Sequence, residues 1–138
     1  MAKNRISNLE YSKEVMKRFL HPKNMGVIKN ADAIGQVINP ICKDTMKVYL
    51  KIDKKNKGKG IGKSIIKDVK FQTIGCAAAI SSSDVACELV KGKTLSQAKK
   101  ISKKDILKKL GGLPPQKIHC SLLGEDAIKK AIENYKKG

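Results

Sequence analysis

Cys42, Cys76 and Cys120 lie far apart in the chain, and each has polar or metal-competent neighbours: Cys42-Lys43-Asp44, Gly75-Cys76-Ala77 and His119-Cys120-Ser121. Three thiols, one carboxylate and one imidazole are donor types that hold a transition metal or an iron–sulfur cluster. The thiolate rather than the thiol is both ligand and nucleophile, so the chemistry depends on local structure that favours ionisation. Cys76 is expected where a strand meets a helix, and Cys120 just before the last helix. A helix N-terminus presents unpaired N–H groups and the positive end of the helix dipole, and both favour a thiolate. Cys42 is expected beside Pro40, in a loop before a strand that Lys43 and Asp44 leave exposed. Donors at element ends are held firmly yet stay reachable, which suits a site that loads and releases cargo.

The other chemistry-bearing residues read differently. Cys87 falls mid-helix on the face of Ile80 and Val90, so it is expected in the core. His21 precedes Pro22 at a helix end and reads as a cap or surface residue. No C-x-x-C pair occurs, which disfavours zinc ribbons and thioredoxin-type sites, and ferredoxin spacings are absent. Ser81-Ser82-Ser83-Asp84 carries no G-x-S-x-G elbow, and its serines fit the polar face of a helix. A Cys/His protease needs a histidine aimed at its nucleophile from elsewhere, and His119 adjoins Cys120.

The elements that must position these residues follow from periodicity. Tyr11, Val15 and Phe19 share a face at i, i+4, i+8, which predicts a helix over 12–20, stopped by His21-Pro22 and Gly26. Residues 35–39 read as a strand. Across 45–53, Met46, Val48, Leu50 and Ile52 alternate with Lys47, Tyr49, Lys51 and Asp53, the pattern of a strand with one wet face. A Gly/Lys loop over 54–63 leads to a third strand over 64–73. That loop is too short for a helical crossover, so the two long strands are antiparallel. Helices follow over 77–90, from Thr94 with Gln97 as a capping-box partner, and from Ser102 to Gly111-Gly112. Leu113–Lys117 reads as extended because of its prolines. Leu123, Ala127, Ala131 and Tyr135 mark a last helix over 121–135. The expectation is an α+β fold: a small three-stranded antiparallel sheet packed against several helices. Residues 1–138 form one domain, with 1–10 a flexible tail.

Length and charge bound the function classes. The 138 residues suffice for one real core, and no apolar run is long enough for a membrane span. Met1–Glu10 has no apolar signal core, which points to a reducing, cytoplasmic compartment where four cysteines speak for metal or redox chemistry more than disulfides. The net charge is +18. Of 30 basic residues only Arg5 and Arg18 are arginine, and the lysines are spread along the whole chain. With few arginines and few aromatics, the bidentate forks and stacking platforms of nucleic-acid binders are missing. No nucleic-acid partner is expected.

The segments YSKEVMKRFLHPKNMG, NPICKDTMKVYLKI, FQTIGCAAAISSSD, VKGKT and LPPQKIHCSLLGEDAIKKAI, in this order, give the chain a close resemblance to the U-type (IscU/NifU-like) iron–sulfur cluster assembly scaffolds, from Tyr11 to Tyr135. The resemblance implies a stand-alone scaffold rather than an enzyme, on which a cluster is built from iron and desulfurase-derived sulfur and passed to apo-proteins. It implies cluster ligands at Cys42, Cys76 and Cys120, with Asp44 tied to cluster lability and His119 nearby. Cys120 and then Cys42 are the candidate persulfide acceptors. The cargo would be a 2Fe–2S cluster, or a 4Fe–4S cluster on a dimer, in a monomeric or homodimeric protein. Zn2+ suits the same Cys/Asp/His donors in the isolated protein, and a zinc-binding regulatory or adaptor domain is the alternative. Leu113, Pro114, Pro115, Gln116 and Lys117 match the motif that an Hsp70-type chaperone recognises in the family. Gln116 replaces an apolar Val there, which counts against that partner. Lys43 stands where the family carries glycine, and Ala77-Ala78 where Gly-Ser is common.

Overall fold

A computed structural model describes residues 11–40, 43–53 and 63–137. The expected tail 1–10, Cys42 and most of the expected Gly/Lys loop lie outside the described residues. The strands β1 (Ala33–Ile38), β2 (Thr45–Asp53) and β3 (Ile65–Ile74) form an antiparallel sheet in the order β1-β2-β3. Around it lie α1 (Lys13–Leu20), α2 (Ala77–Val90), α3 (Leu95–Ala98), α4 (Lys103–Leu110), a 3-10 turn (Pro115–Cys120) and α5 (Ser121–Lys137).

The alternation in β2 sets the two faces of the sheet. Met46, Val48, Leu50 and Ile52 are buried with Val69 and Phe71 of β3, and Thr45, Lys47 and Lys51 point away. The buried face is covered by α5, which lies along β1 and β2, and by α2, which packs on β3 and α5. The expected stripe on α5 is real: Leu123, Ala127 and Ala131 are buried and Tyr135 packs against the core. The described core residues form one contiguous cluster.

β1 begins two residues earlier than expected, at Ala33, because Gly35 is a mid-strand residue and not its start. A Cβ at Gly35 would lie 2.2 Å from the Ala127 carbonyl oxygen and 2.4 Å from the Ala131 amide nitrogen. The glycine lets the backbone of α5 lie flush on the strand. The β3 edge is partly covered by the segment after α1, which blunts pairing with other chains, and β1 receives one side-chain hydrogen bond. Phe71 on β3 exchanges backbone hydrogen bonds with Gly26 (2.8 Å) and Asn24 (2.9 Å), and the Asn134 side chain donates to the Ile34 carbonyl (2.8 Å).

On α1 the buried residues are Val15 and Arg18, and the expected Phe19 is 36% exposed. Arg18 donates to Asp84 (2.8 Å), Glu14 (2.7 Å) and Glu88 (3.0 Å), and the Asn24 amide also donates to Asp84 (2.8 Å). This network ties α1 and the following turn to α2. It also corrects the expected polar face of α2: Ser81, Ser82, Ser83 and Asp84 are all fully buried. The helix sits inside the molecule, where small hydroxyls can be buried when they bond back to helix carbonyls, as Ser81 does to Ala77 at 2.7 Å. The expected capping box of Thr94 with Gln97 is present, and the expected cap at Ser102 forms a second one with Asp105. Among the described residues no helix is long and apolar enough to cross a membrane.

Candidate metal centre

Three junctions of the fold meet at one corner. The first is the β1–β2 hairpin, whose mouth is closed by the Asn39 amide donating to the Asp44 carbonyl (2.9 Å) and the Lys43 amide donating to the Asn39 carbonyl (2.8 Å). The second is the passage from β3 through Gly75 to α2, where Cys76 is the N-cap residue in extended backbone. The third is the end of the 3-10 turn at Cys120, which the Ser82 hydroxyl of α2 holds by donating to the Cys120 carbonyl (3.3 Å).

At this corner one oxygen of Asp44 and the sulfurs of Cys76 and Cys120 all lie within 4.8 Å of one another. The two sulfurs are 3.6 Å apart, a hydrogen-bonded contact and no disulfide. His119 Nε2 lies 3.6 Å from Cys120 Sγ and is not one of the converging three. Its place directly before Cys120 thus does not prevent the contact that the sequence argued against. Gly75 makes room for the carboxylate: a Cβ there would stand 3.0 Å from Asp44 Oδ2 and 3.0 Å from the Ala79 methyl. Lys43, directly before Asp44, has φ = 64° and is the only non-glycine in the left-handed region among the described residues. Such a conformation costs an L-residue roughly 1–2 kcal/mol.

The electrostatics separate the two thiols. Cys76 is lowered to about 5, chiefly because the Cys120 thiol donates a hydrogen bond to its thiolate; partial burial opposes this, and the Ala79 and Ala78 amides and the Lys117 ammonium add to it. At neutral pH Cys76 is therefore a thiolate with Cys120 as its donor. Lys117 is raised in turn, first by Cys76, and Tyr11 is raised by burial and then by Cys76. Cys87 is fully buried, which pushes its thiol up and leaves it inert, as expected for a core residue.

Of the residues singled out by sequence, the structure brings together Asp44, Cys76 and Cys120, and sets His119 against Cys120. Cys42 lies outside the described residues. The dipole argument holds for Cys76 alone. Cys120 ends a 3-10 turn that runs straight into α5, and the next amide, that of Ser121, already bonds the His119 and Ile118 carbonyls. Leu113–Lys117 is not extended throughout, since the 3-10 turn starts at Pro115; Leu113 is half-buried and Pro114 buried. Sequence reasoning missed Lys117 and Tyr11 as charged and polar neighbours of the thiols. The signal for Lys117 was its spacing, because side chains at i and i+3 eclipse in a 3-10 turn and Lys117 stands three before Cys120.

Two soft sulfurs and one hard oxygen suit iron or zinc, and a mixed set of this kind holds its metal less tightly than a full thiolate cage. The Gly75 recess fits that use, since it exists only where a side chain is missing beside the carboxylate.

Residues 10–138 match the family described as the NifU-like N terminal domain. The chain is 47% identical over 125 residues to the iron–sulfur cluster assembly scaffold protein IscU 1 of Archaeoglobus fulgidus, covering 91% of this chain and 76% of that one. It is 42% identical over 128 residues to the iron–sulfur cluster assembly scaffold protein IscU of Aquifex aeolicus, covering 93% and 77%. The crystal structure of the N-terminal part of a nitrogen-fixing NifU-like protein from Brucella abortus superposes with a TM-score of 0.68 at 21% identity, covering 91% of this chain and 94% of that one.

Proposed function

Because the chain belongs to the NifU-like N-terminal domain family, we propose that the corner of Asp44, Cys76 and Cys120 is where it assembles an iron–sulfur cluster. The protein is a scaffold for iron–sulfur cluster assembly, and its cargo is made on it and handed to apo-proteins. The single observation that carries the assignment to this corner is the convergence of two sulfurs and a carboxylate oxygen within 4.8 Å, from three separate junctions of the fold.

The proposed chemistry starts from the thiols. A thiolate attacks the outer sulfur of a persulfide on a cysteine desulfurase; a new persulfide forms on the scaffold and the donor leaves as a thiolate. Cys120 and Cys42 are the proposed acceptors. Cys120 is buried, so its turn at the outer sulfur requires the 3-10 segment to shift. Cys76, already ionised, is the ligand ready for ferrous iron. Each delivered outer sulfur takes up two electrons to become sulfide and frees its carrier thiolate. Two such deliveries, with two electrons from the two ferrous ions and two from a reductant, supply a 2Fe–2S cluster held by Cys42, Cys76 and Cys120. Asp44 supplies an oxygen and His119 stands by as a further donor. The Lys117 ammonium lies on the same side and offsets the negative charge of thiolates and cluster. A harder carboxylate in place of a fourth thiolate eases release to recipients. A 4Fe–4S cluster between two copies would use the same donors.

We place this work in the cytoplasm, where reducing conditions keep the thiols available. An Hsp70-type chaperone would have to draw Leu113–Lys117 away from the core, where Pro114 is buried, and Gln116 removes an apolar side chain from that peptide. Zinc fits the same donors in isolated protein.

The test is anaerobic reconstitution with ferrous iron, cysteine, a desulfurase and a thiol reductant. A visible chromophore is expected to grow in and, when apo-ferredoxin is added, to leave the scaffold and reappear as the spectrum of holo-ferredoxin. Cys76→Ala and Cys120→Ala are expected to load at most a tenth as much. Equal loading in both variants and in Asp44→Ala would refute the site.

A further inference from the structure

Lys43 is the only non-glycine residue in the left-handed region among those described, and it stands directly before a proposed ligand. Its side chain is exposed and its ammonium makes no ion pair among the described residues. What distinguishes it is therefore its backbone. The left-handed turn at Lys43 is pinned from both sides: its own amide bonds to the Asn39 carbonyl at 2.8 Å, and the next carbonyl, that of Asp44, is bonded by the Asn39 amide at 2.9 Å. Beyond that turn the Asp44 carboxylate lies in the recess at Gly75, where a single methyl would touch it at 3.0 Å. The pinned turn fixes the backbone from which the Asp44 carboxylate projects, and the missing side chain at Gly75 leaves the room it occupies. Strain of this kind persists only where the surroundings over-determine it, and it gathers at functional sites.

We propose that Lys43 is a positioning residue: its left-handed backbone, not its charge, sets the Asp44 carboxylate within reach of Cys76 and Cys120 before any metal arrives. The inference rests on the reading of Asp44 as a ligand. A carboxylate already placed spares the metal the entropy of ordering it, so the turn acts on affinity through Asp44 alone.

Substitution separates backbone from charge. Asparagine tolerates the left-handed region and carries no charge, whereas valine, branched at Cβ, resists it. The probe is Co2+, titrated anaerobically into metal-free protein and followed by its visible d–d and thiolate charge-transfer bands, with zinc competition for affinity. Lys43→Asn is expected to stay within about twofold of the parent. Lys43→Val is expected to bind about tenfold more weakly, about 1.4 kcal/mol. In an Asp44→Ala background the valine substitution should then change affinity less than twofold, because the group it positions is gone. That arm also separates positioning from general damage, which would weaken binding in both backgrounds.

Equal loss in Lys43→Asn and Lys43→Val would overturn the proposal in favour of charge. Full affinity in Lys43→Val, or an undiminished valine effect without Asp44, would overturn it as well. If Asp44→Ala alone binds Co2+ as tightly as the parent, the reading of Asp44 as a ligand fails, and this inference fails with it. A parent protein that does not bind Co2+ through thiolate would defeat the site itself.

Discussion

Cys76 and Cys120 are of one residue type and 3.6 Å apart, and the hydrogen bond from Cys120 holds the Cys76 thiol well below its ordinary range. In metal-free protein the alkylation of Cys76 by iodoacetamide should stay fast from pH 9 down to pH 6 and fall with a midpoint near 5. Removing the donor by Cys120→Ala should move that midpoint up toward an ordinary thiol, about 8.5. A parent midpoint already near the ordinary value would contradict the arrangement. The same shift bears on folding: the folded thiol lies below its unfolded value, so its contribution is full above the unfolded pKa. It is lost as pH falls through about 5. The identity of the donors was legible in sequence, because Cys76 follows Gly75 at a strand-to-helix switch and Cys120 follows a histidine. Which of the two would ionise was not. That is decided by a contact between residues 44 apart in the chain, and no local pattern encodes it.

The elements that carry these residues were read well where a period exposes them. The alternation from Met46 to Ile52 appears in the structure as the central strand, and the Leu123–Tyr135 stripe as the helix that covers it. Where chain geometry depends on a partner the reading failed. The serines of α2 fit a polar face in sequence because their burial depends on packing against α5, which no local pattern shows. Gly35 looked like a strand start because the helix that needs its bare backbone lies about ninety residues away in sequence. Pro114 and Pro115 suggested extended chain, but Pro115 sits at the first position of a 3-10 turn, where its missing N–H costs nothing. Gly35→Ala tests the closest of these contacts. A methyl 2.2 Å from the Ala127 carbonyl must lift α5 off β1. Overpacking of this kind should destabilise by about 3 kcal/mol and lower the Tm by roughly 10 °C. A change of less than about 1 kcal/mol would mean that α5 does not lie flush on the strand.

At the scale of the whole molecule, the net charge of +18 is the most conspicuous property in sequence and plays a minor part in the site. Lysines face solvent on the outer side of the sheet and along α4, and Lys117 is the one whose charge bears on Cys76. The fold instead spends its precision on one corner, where a hairpin, a helix N-terminus and a 3-10 turn from distant parts of the chain bring unlike donors together. The central claim is that a cluster is held there. X-ray absorption at the iron edge of anaerobically loaded protein tests it most directly. The account predicts a first shell dominated by sulfur with a short iron–iron vector, both lost in Cys76→Ala and in Cys120→Ala. A shell of oxygen and nitrogen alone, or a spectrum unchanged by either substitution, would contradict it.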